Sequence, residues 1–336
     1  MPNASTAKAP ALCAAALLAV LLAAGPAIAQ NFTEFRVPTS RSAPAYITLG
    51  PDGALWFTEI VGNKIGRITT TGKISETSIP TPSSQPYSIA AGSDGNVWFV
   101  EYAGNKIGRI TPSGTITEFE IPAADSQPVA INAGPDDAMW FAELGTGKIG
   151  RITLDGVITE FPATSPASVR SPRGITIGPD GNLWSTIEAR LAPNAVNIIA
   201  RITPSGIITE FPVPTLNCSL ASGILAGPDG ALWFAEEAGN KIGRITVKGV
   251  ITEFPLPTPN SLPRHFTAGT DAALWFTQRA DRIGRITMSG AITEFAVPTA
   301  NASPYGIATA PDGTIWFTEQ ASNKIGRFAP ASAAKD

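Results

Sequence analysis

Cysteine and histidine are almost missing from this chain: Cys13 and Cys218 are its cysteines, and His265 is its sole histidine. A fold stapled by disulfides is excluded. Any histidine serving as general acid or base has to be His265. Charge is sparse as well. Charged residues make up 15% of the sequence, the formal net charge is −3, and Lys and Arg form no cluster, so nucleic acid is not an expected partner. Nor does any stretch of ten residues keep a helical period.

A long apolar run occurs only near the N-terminus. Lys8 precedes an Ala/Leu run from Ala11 to Ala24, followed by Gly25-Pro26-Ala27-Ile28-Ala29, a small-x-small cleavage pattern. The run falls short of the ~20 residues a membrane span needs. Residues 1–29 therefore read as a secretory signal, with a mature chain starting at Gln30, no membrane association after cleavage, and a periplasmic or secreted location. Cleavage removes Cys13, so Cys218 remains as a lone thiol.

What the chain has in abundance is repetition. Its seven tryptophans, Trp56, Trp98, Trp140, Trp184, Trp233, Trp275 and Trp316, all sit in the same local phrase. They are separated by 42, 42, 44, 49, 42 and 41 residues, so one unit of about 42 residues is written seven times. The fullest copy, G-P-D-G-A-L-W-F-A-E-E-A-G-N-K-I-G-R-I-T-V-K-G-V-I-T-E-F-P-L-P-T, runs from Gly227 to Thr258 as short β-rich runs cut by tight turns. In the sixth unit the strands are placed at about His265–Ala268, Ala273–Gln278, Arg282–Thr287 and Ala291–Ala296. Four antiparallel strands make a blade, and seven blades around an axis make an all-β, seven-bladed β-propeller.

The seventh unit, Pro304 to Phe328, has only three strands, whereas Asn31-Phe32-Thr33-Glu34-Phe35-Arg36-Val37 is a spare copy of the fourth-strand phrase. The N-terminal strand is expected to close the last blade and leave no open edge. One propeller domain then spans residues 30–330, with a short tail at 331–336, and a monomer is expected.

Repetition also separates scaffold from site, because a single active site is not needed seven times. The Arg of the I-G-R run (Arg67, Arg109, Arg151, Arg201, Arg244, Arg285, Arg327) is assigned a structural role, pairing between blades. The Asp of the P-D-G turn and the Glu of the I-T-E-F run are structural by the same argument. Two positions vary. After the Pro opening each inner strand the units read Ala45, Tyr87, Val129, Arg173, Ser222, Arg264 and Tyr305, side chains placed at one mouth of the channel. Three residues after each Trp they read Glu59, Glu101, Glu143, Ile187, Glu236, Gln278 and Glu319. These carboxylates either form an acidic girdle for a divalent cation or accept neighbouring backbone N–H groups. Strand alternation sets His265 on the face opposite Arg264, packed between blades. The fourth unit carries a loop several residues longer within Trp184–Ile199, and the next unit an insertion around Leu216–Ala221.

The phrases G-P-D-G-A-L-W-F-T-E, N-K-I-G-R-I-T and G-x-I-T-E-F-x-I-P-T closely resemble the virginiamycin B lyase (streptogramin B lyase) family. The resemblance implies a seven-bladed propeller that opens a cyclic depsipeptide by Mg²⁺-dependent elimination across an ester C–O bond. It also implies a histidine at position 264, a Glu-Pro-His at 303–305, a Glu at 319 or 320 and a tyrosine near 45. This chain has Arg264, Ser303, Tyr305, Glu319, Gln320, Ala45 and Tyr46 there. The expected site is thus His265, Tyr305 and Glu319 as catalytic groups, Glu319 as ligand of Mg²⁺, and Tyr87, Arg173 and Arg264 holding a small-molecule or peptide ligand at the channel mouth. Two further readings are a non-catalytic propeller binding a peptide, glycan or protein, and a lactonase-type propeller with a buried cation.

Overall fold

A computed structural model describes residues 31–164, 170–189 and 196–330. Residues 1–29, read above as a secretory signal, the tail 331–336 and part of the long fourth-unit loop lie outside the described residues. Within them, 28 strands form seven four-stranded antiparallel sheets, and no helix is present. The sixth blade runs Pro263–Ala268, Leu274–Gln278, Arg282–Ile286 and Ile292–Ala296, close to the boundaries the turns predict.

Each blade grades from a dry interior to a wet rim. Second strands such as Leu55–Glu59 and Val97–Glu101 are buried at every position, because neighbouring blades cover both of their faces. Fourth strands such as Ile116–Glu120 are partly exposed. Each Trp is buried, and in blade two the ring of Trp98 stacks on Phe119 at 5.6 Å, a pairing repeated by Trp140 with Phe161 and by Trp233 with Phe254. Burying an aromatic of this size contributes roughly 4–6 kcal/mol of transfer free energy.

The repeated polar residues lock this packing. The Trp56 indole N–H donates to Asp52 at 2.9 Å, Arg67 donates to the other oxygen of Asp52 at 2.6 Å, and the Arg67 guanidinium lies 5.7 Å from the Trp56 ring. Burial works against ionisation of Asp52, but the Trp56 and Arg67 hydrogen bonds outweigh it and hold its pKa below the ordinary value. The expectation that the I-G-R arginines pair between blades is therefore corrected. For Arg67, Arg109, Arg151, Arg201, Arg244 and Arg285 the carboxylate partner is the P-D-G aspartate of their own blade, which stands beside them because Trp and Arg are directly opposed in the ladder. Only backbone carbonyls are reached across the interface, as from Arg109 to Leu154 and from Arg201 to Val247. The I-T-E-F glutamates do link blades: Glu118 accepts from the Thr81 N–H and hydroxyl of the preceding linker, both at 2.9 Å, while also holding Lys106.

The ring closes as the repeat count requires. Strand Asn31–Arg36 pairs antiparallel with Lys324–Ala329, placing Phe32 opposite Phe328 and Phe35 opposite Ile325. Phe35 stacks on Trp316 at 5.5 Å, so the chain's first strand completes the aromatic pair of the last blade.

Candidate functional site

Every inner strand opens with a bulge. In blade six Pro263 faces Gln278 but the next paired residues are Phe266 and Phe276, and the same register shift recurs in the other blades. A bulge breaks strict alternation and turns two successive side chains toward the axis. Arg264 accordingly lines a mouth cavity of about 430 Å³, and His265 lines a second cavity of about 300 Å³ deeper in the channel. His265 does reach the next blade, through the Tyr305 carbonyl, but its ring also faces the channel, which simple alternation did not anticipate.

The mouth gathers Tyr87, Arg173, Arg264 and Tyr305, four of the residues expected there. It also gathers residues of a position that sequence comparison passed over, the fourth after each Trp. That position reads Ile60, Tyr102, Leu144, Glu188, Glu237, Arg279 and Gln320 and is as variable as the first. Glu237 accepts from Arg264 at 2.7 Å, Glu188 accepts from Arg173 Nε at 2.7 Å, and Tyr102 packs on Tyr87 at 5.2 Å. Arg264 also donates to the Tyr305 hydroxyl at 3.2 Å and lies 4.8 Å from that ring. The two guanidinium groups are thus held in place before any ligand arrives.

The third position after each Trp belongs to the scaffold. Glu59, Glu101, Glu143, Glu236 and Glu319 are each fully buried and line neither cavity. Glu319 accepts from Ser322 at 2.6 Å, as Glu143 does from Thr146. Burial is the main reason that Glu319, Glu59, Glu143 and Glu236 are pushed up to about 7. In Glu101 burial and then the charge of Glu118 carry the value to about 8. Neither the acidic girdle nor the acceptor for backbone N–H groups describes them. They are separate buried carboxyls, one per blade, and Glu319 is not brought together with Arg264 and Tyr305.

The floor between the two cavities is Tyr46, which lines both. Its ring meets His265 edge-on at 4.6 Å and Tyr305 at 5.4 Å. Ala45, the residue compared with the other mouth positions, is buried and turned away. The signal for Tyr46 was its size: the second position after the inner-strand Pro is Ser88, Ala130, Gly174 and Gly306 in other blades, and is bulky only as Tyr46 and His265. His265 Nδ1 lies 2.9 Å from the Tyr305 carbonyl, which only accepts, so Nδ1 carries the proton and Nε2 is an open lone pair with no partner. Burial, reinforced by the Arg264 charge, lowers the imidazole to about 3 and keeps it neutral.

Comparison with known proteins places this geometry. The model of the virginiamycin B lyase family matches residues 27–192 and again 190–336. The chain belongs to the virginiamycin B lyase family. A streptogramin B lyase structure is 40% identical over 89% of this chain and 97% of its own, with a TM-score of 0.82. A catalytically inactive variant of virginiamycin B lyase from Staphylococcus aureus, solved with quinupristin, is 41% identical over 90% of this chain and 100% of its own, also at 0.82. Virginiamycin B lyase from Bacillus licheniformis aligns at 46% identity over 44 residues, spanning 13% of this chain and 15% of that protein.

The Mg²⁺ that the family implies does not fit the mouth of this member. Hard divalent cations need several oxygen ligands with negative charge among them. Here the one carboxylate in the lining, Glu237, is paired with Arg264, and Arg173 and Arg279 add further positive charge. Among the described residues no group of three or more His, Cys, Asp or Glu is arranged to hold a metal ion.

Proposed function

We propose that this virginiamycin B lyase family propeller binds a peptide, depsipeptide or related ester at its mouth, without Mg²⁺-dependent ring opening. One observation carries the reading: the mouth collects Arg173, Arg264, Arg279, Tyr46, Tyr87 and Tyr305, hydrogen-bond donors and aromatic faces, while the carboxylates beside them are occupied by guanidinium groups. The arginines are set to hold carbonyl or carboxyl oxygens, and the tyrosine rings offer apolar surface to the rest of the ligand. A guanidinium stays protonated, so Arg264 cannot take a proton from a substrate.

Kinship supports a second reading, a carbon–oxygen lyase in which His265 or Tyr305 substitutes for the family histidines. The open Nε2 of neutral His265, beside Tyr46, is the feature that favours it. Incubation with a streptogramin B, with Mg²⁺ or with chelator, followed by mass spectrometry and calorimetry, separates the two. Binding with an intact ring is expected. A ring-opened product that disappears on chelation would reject the proposal in favour of the metal-dependent lyase.

A further inference from the structure

The donors at the mouth outnumber their acceptors, and three of them have no acceptor at all. The Arg264 Nε is buried without a partner. The Tyr46 hydroxyl comes close to Ser222 and Tyr305 but completes a hydrogen bond with neither, in a residue only 7% exposed. The Tyr305 oxygen accepts from Arg264 Nη1, which leaves its own O–H free to donate, and this residue is 8% exposed. Buried donors are ordinarily satisfied, and the cost of leaving them open is recovered when a ligand supplies the acceptor.

Charge points the same way. Three arginines line the cavity against one carboxylate, Glu237. Adding Glu188, which holds Arg173 from beside the cavity, leaves three positive charges against two negative, an excess of one. Arg279 is the least committed: it donates to Ser303 at 3.3 Å and lies 3.9 Å from Glu237, with its side chain 39% exposed. Tyr46 and Tyr87 remain hydroxyls, since burial, followed by the neighbouring Tyr305, raises both above the ordinary phenol value. Every titratable group facing this spot is therefore either a fixed cation, a carboxylate already paired, or a neutral donor.

We propose that the mouth is an oxyanion site that recognises a free carboxylate on its ligand through Arg264, Arg279 and the Tyr46 and Tyr305 hydroxyls, independently of metal. This deepens the mouth-binding reading and rests on it. A carboxylate satisfies two or three donors at once and neutralises the surplus guanidinium, which a neutral ester or amide does not. The preferred ligand is then an acyclic peptide or hydroxy-acid chain ending in a carboxyl group, with an aromatic or apolar neighbour against Tyr87 and Tyr102.

The test uses N-acetyl-phenylalanine and its primary amide as probes, titrated calorimetrically into the full protein with chelator and again with excess MgCl₂. The acid should bind about tenfold or more tightly than the amide, the difference expected for one charge-assisted contact, and Mg²⁺ should change neither. Arg264→Gln should abolish this preference. Because Arg264 is partly buried and its loss could disturb the blade, Arg279→Gln and Tyr46→Phe serve as second variants, each expected to weaken the acid several-fold and leave the melting curve intact. Equal binding of acid and amide overturns the oxyanion inference while leaving mouth binding in place. Binding of neither probe, with streptogramin binding insensitive to all three variants, overturns both. A requirement for Mg²⁺ also rejects the inference.

Discussion

Replacing Glu101 by Gln should make this protein more stable at alkaline pH and leave it unchanged in mild acid. Glu101 is fully buried, and neither of its oxygens has a hydrogen-bond partner. It stands next to Glu118, which Thr81 and Lys106 hold ionised. Burial, and then that neighbouring charge, raise Glu101 from 4.5 to about 8. A carboxyl whose folded pKa lies above its unfolded value contributes stability that is fully present below about pH 4.5 and is lost as pH rises through about 8. At about 1.4 kcal/mol per tenfold change in proton affinity, the full loss is at most roughly 5 kcal/mol. Relaxation and water entry around the ionised group should leave about half of that.

Blade six already carries the substitution. Gln278 occupies the same position and donates from Nε2 to Glu294 at 3.1 Å, the bond that a glutamine at 101 would make to Glu118. The assay is scanning calorimetry of parent and Glu101→Gln at about pH 5 and about pH 9, where the variant should match the parent in acid and melt roughly 3–5 °C higher in base. Equal or lower melting temperatures for the variant at the higher pH would refute the buried-carboxyl argument for all five blades that share it.

Deleting residues 31–38 should prevent folding or lower the melting temperature steeply. It removes the strand that pairs with Lys324–Ala329, along with the stacking of Phe35 on Trp316; an unchanged melt would reject closure by the N-terminal strand. The His265 ring resonances should not titrate between about pH 8 and pH 5, because burial and the Arg264 charge hold the imidazole at about 3. The same shift, being a depression below 6.5, stabilises the fold above about pH 6.5 and is lost as pH falls toward 3. A midpoint near 6.5 would mean that His265 is open to water.

Seven copies of one phrase were enough to establish the propeller, its four-stranded blades and the N-terminal closure. Periodicity of Trp, turn chemistry and a count of strand phrases are local signals, and the structure adds only their register. Four mouth residues, Tyr87, Arg173, Arg264 and Tyr305, were legible for a related reason: they depart from a repeat that is otherwise uniform, and departure from a repeat can be read without coordinates.

What the sequence could not decide was which of two adjacent positions faces the cavity. One residue reverses the face of a strand, and the bulge that opens each inner strand lies in pairing, not in composition. The bulge brings Tyr46 to the floor in place of Ala45, and the turn that follows each second strand carries Glu237, Arg279 and Gln320 to the mouth while their neighbours Glu236, Gln278 and Glu319 are buried. The pairing of the I-G-R arginines was likewise settled by register, which sets Arg67 across from Trp56 and beside Asp52 of the same blade. Local sequence determined what each blade is; only the closed ring, by stacking seven inner strands around one axis, decided which side chains meet.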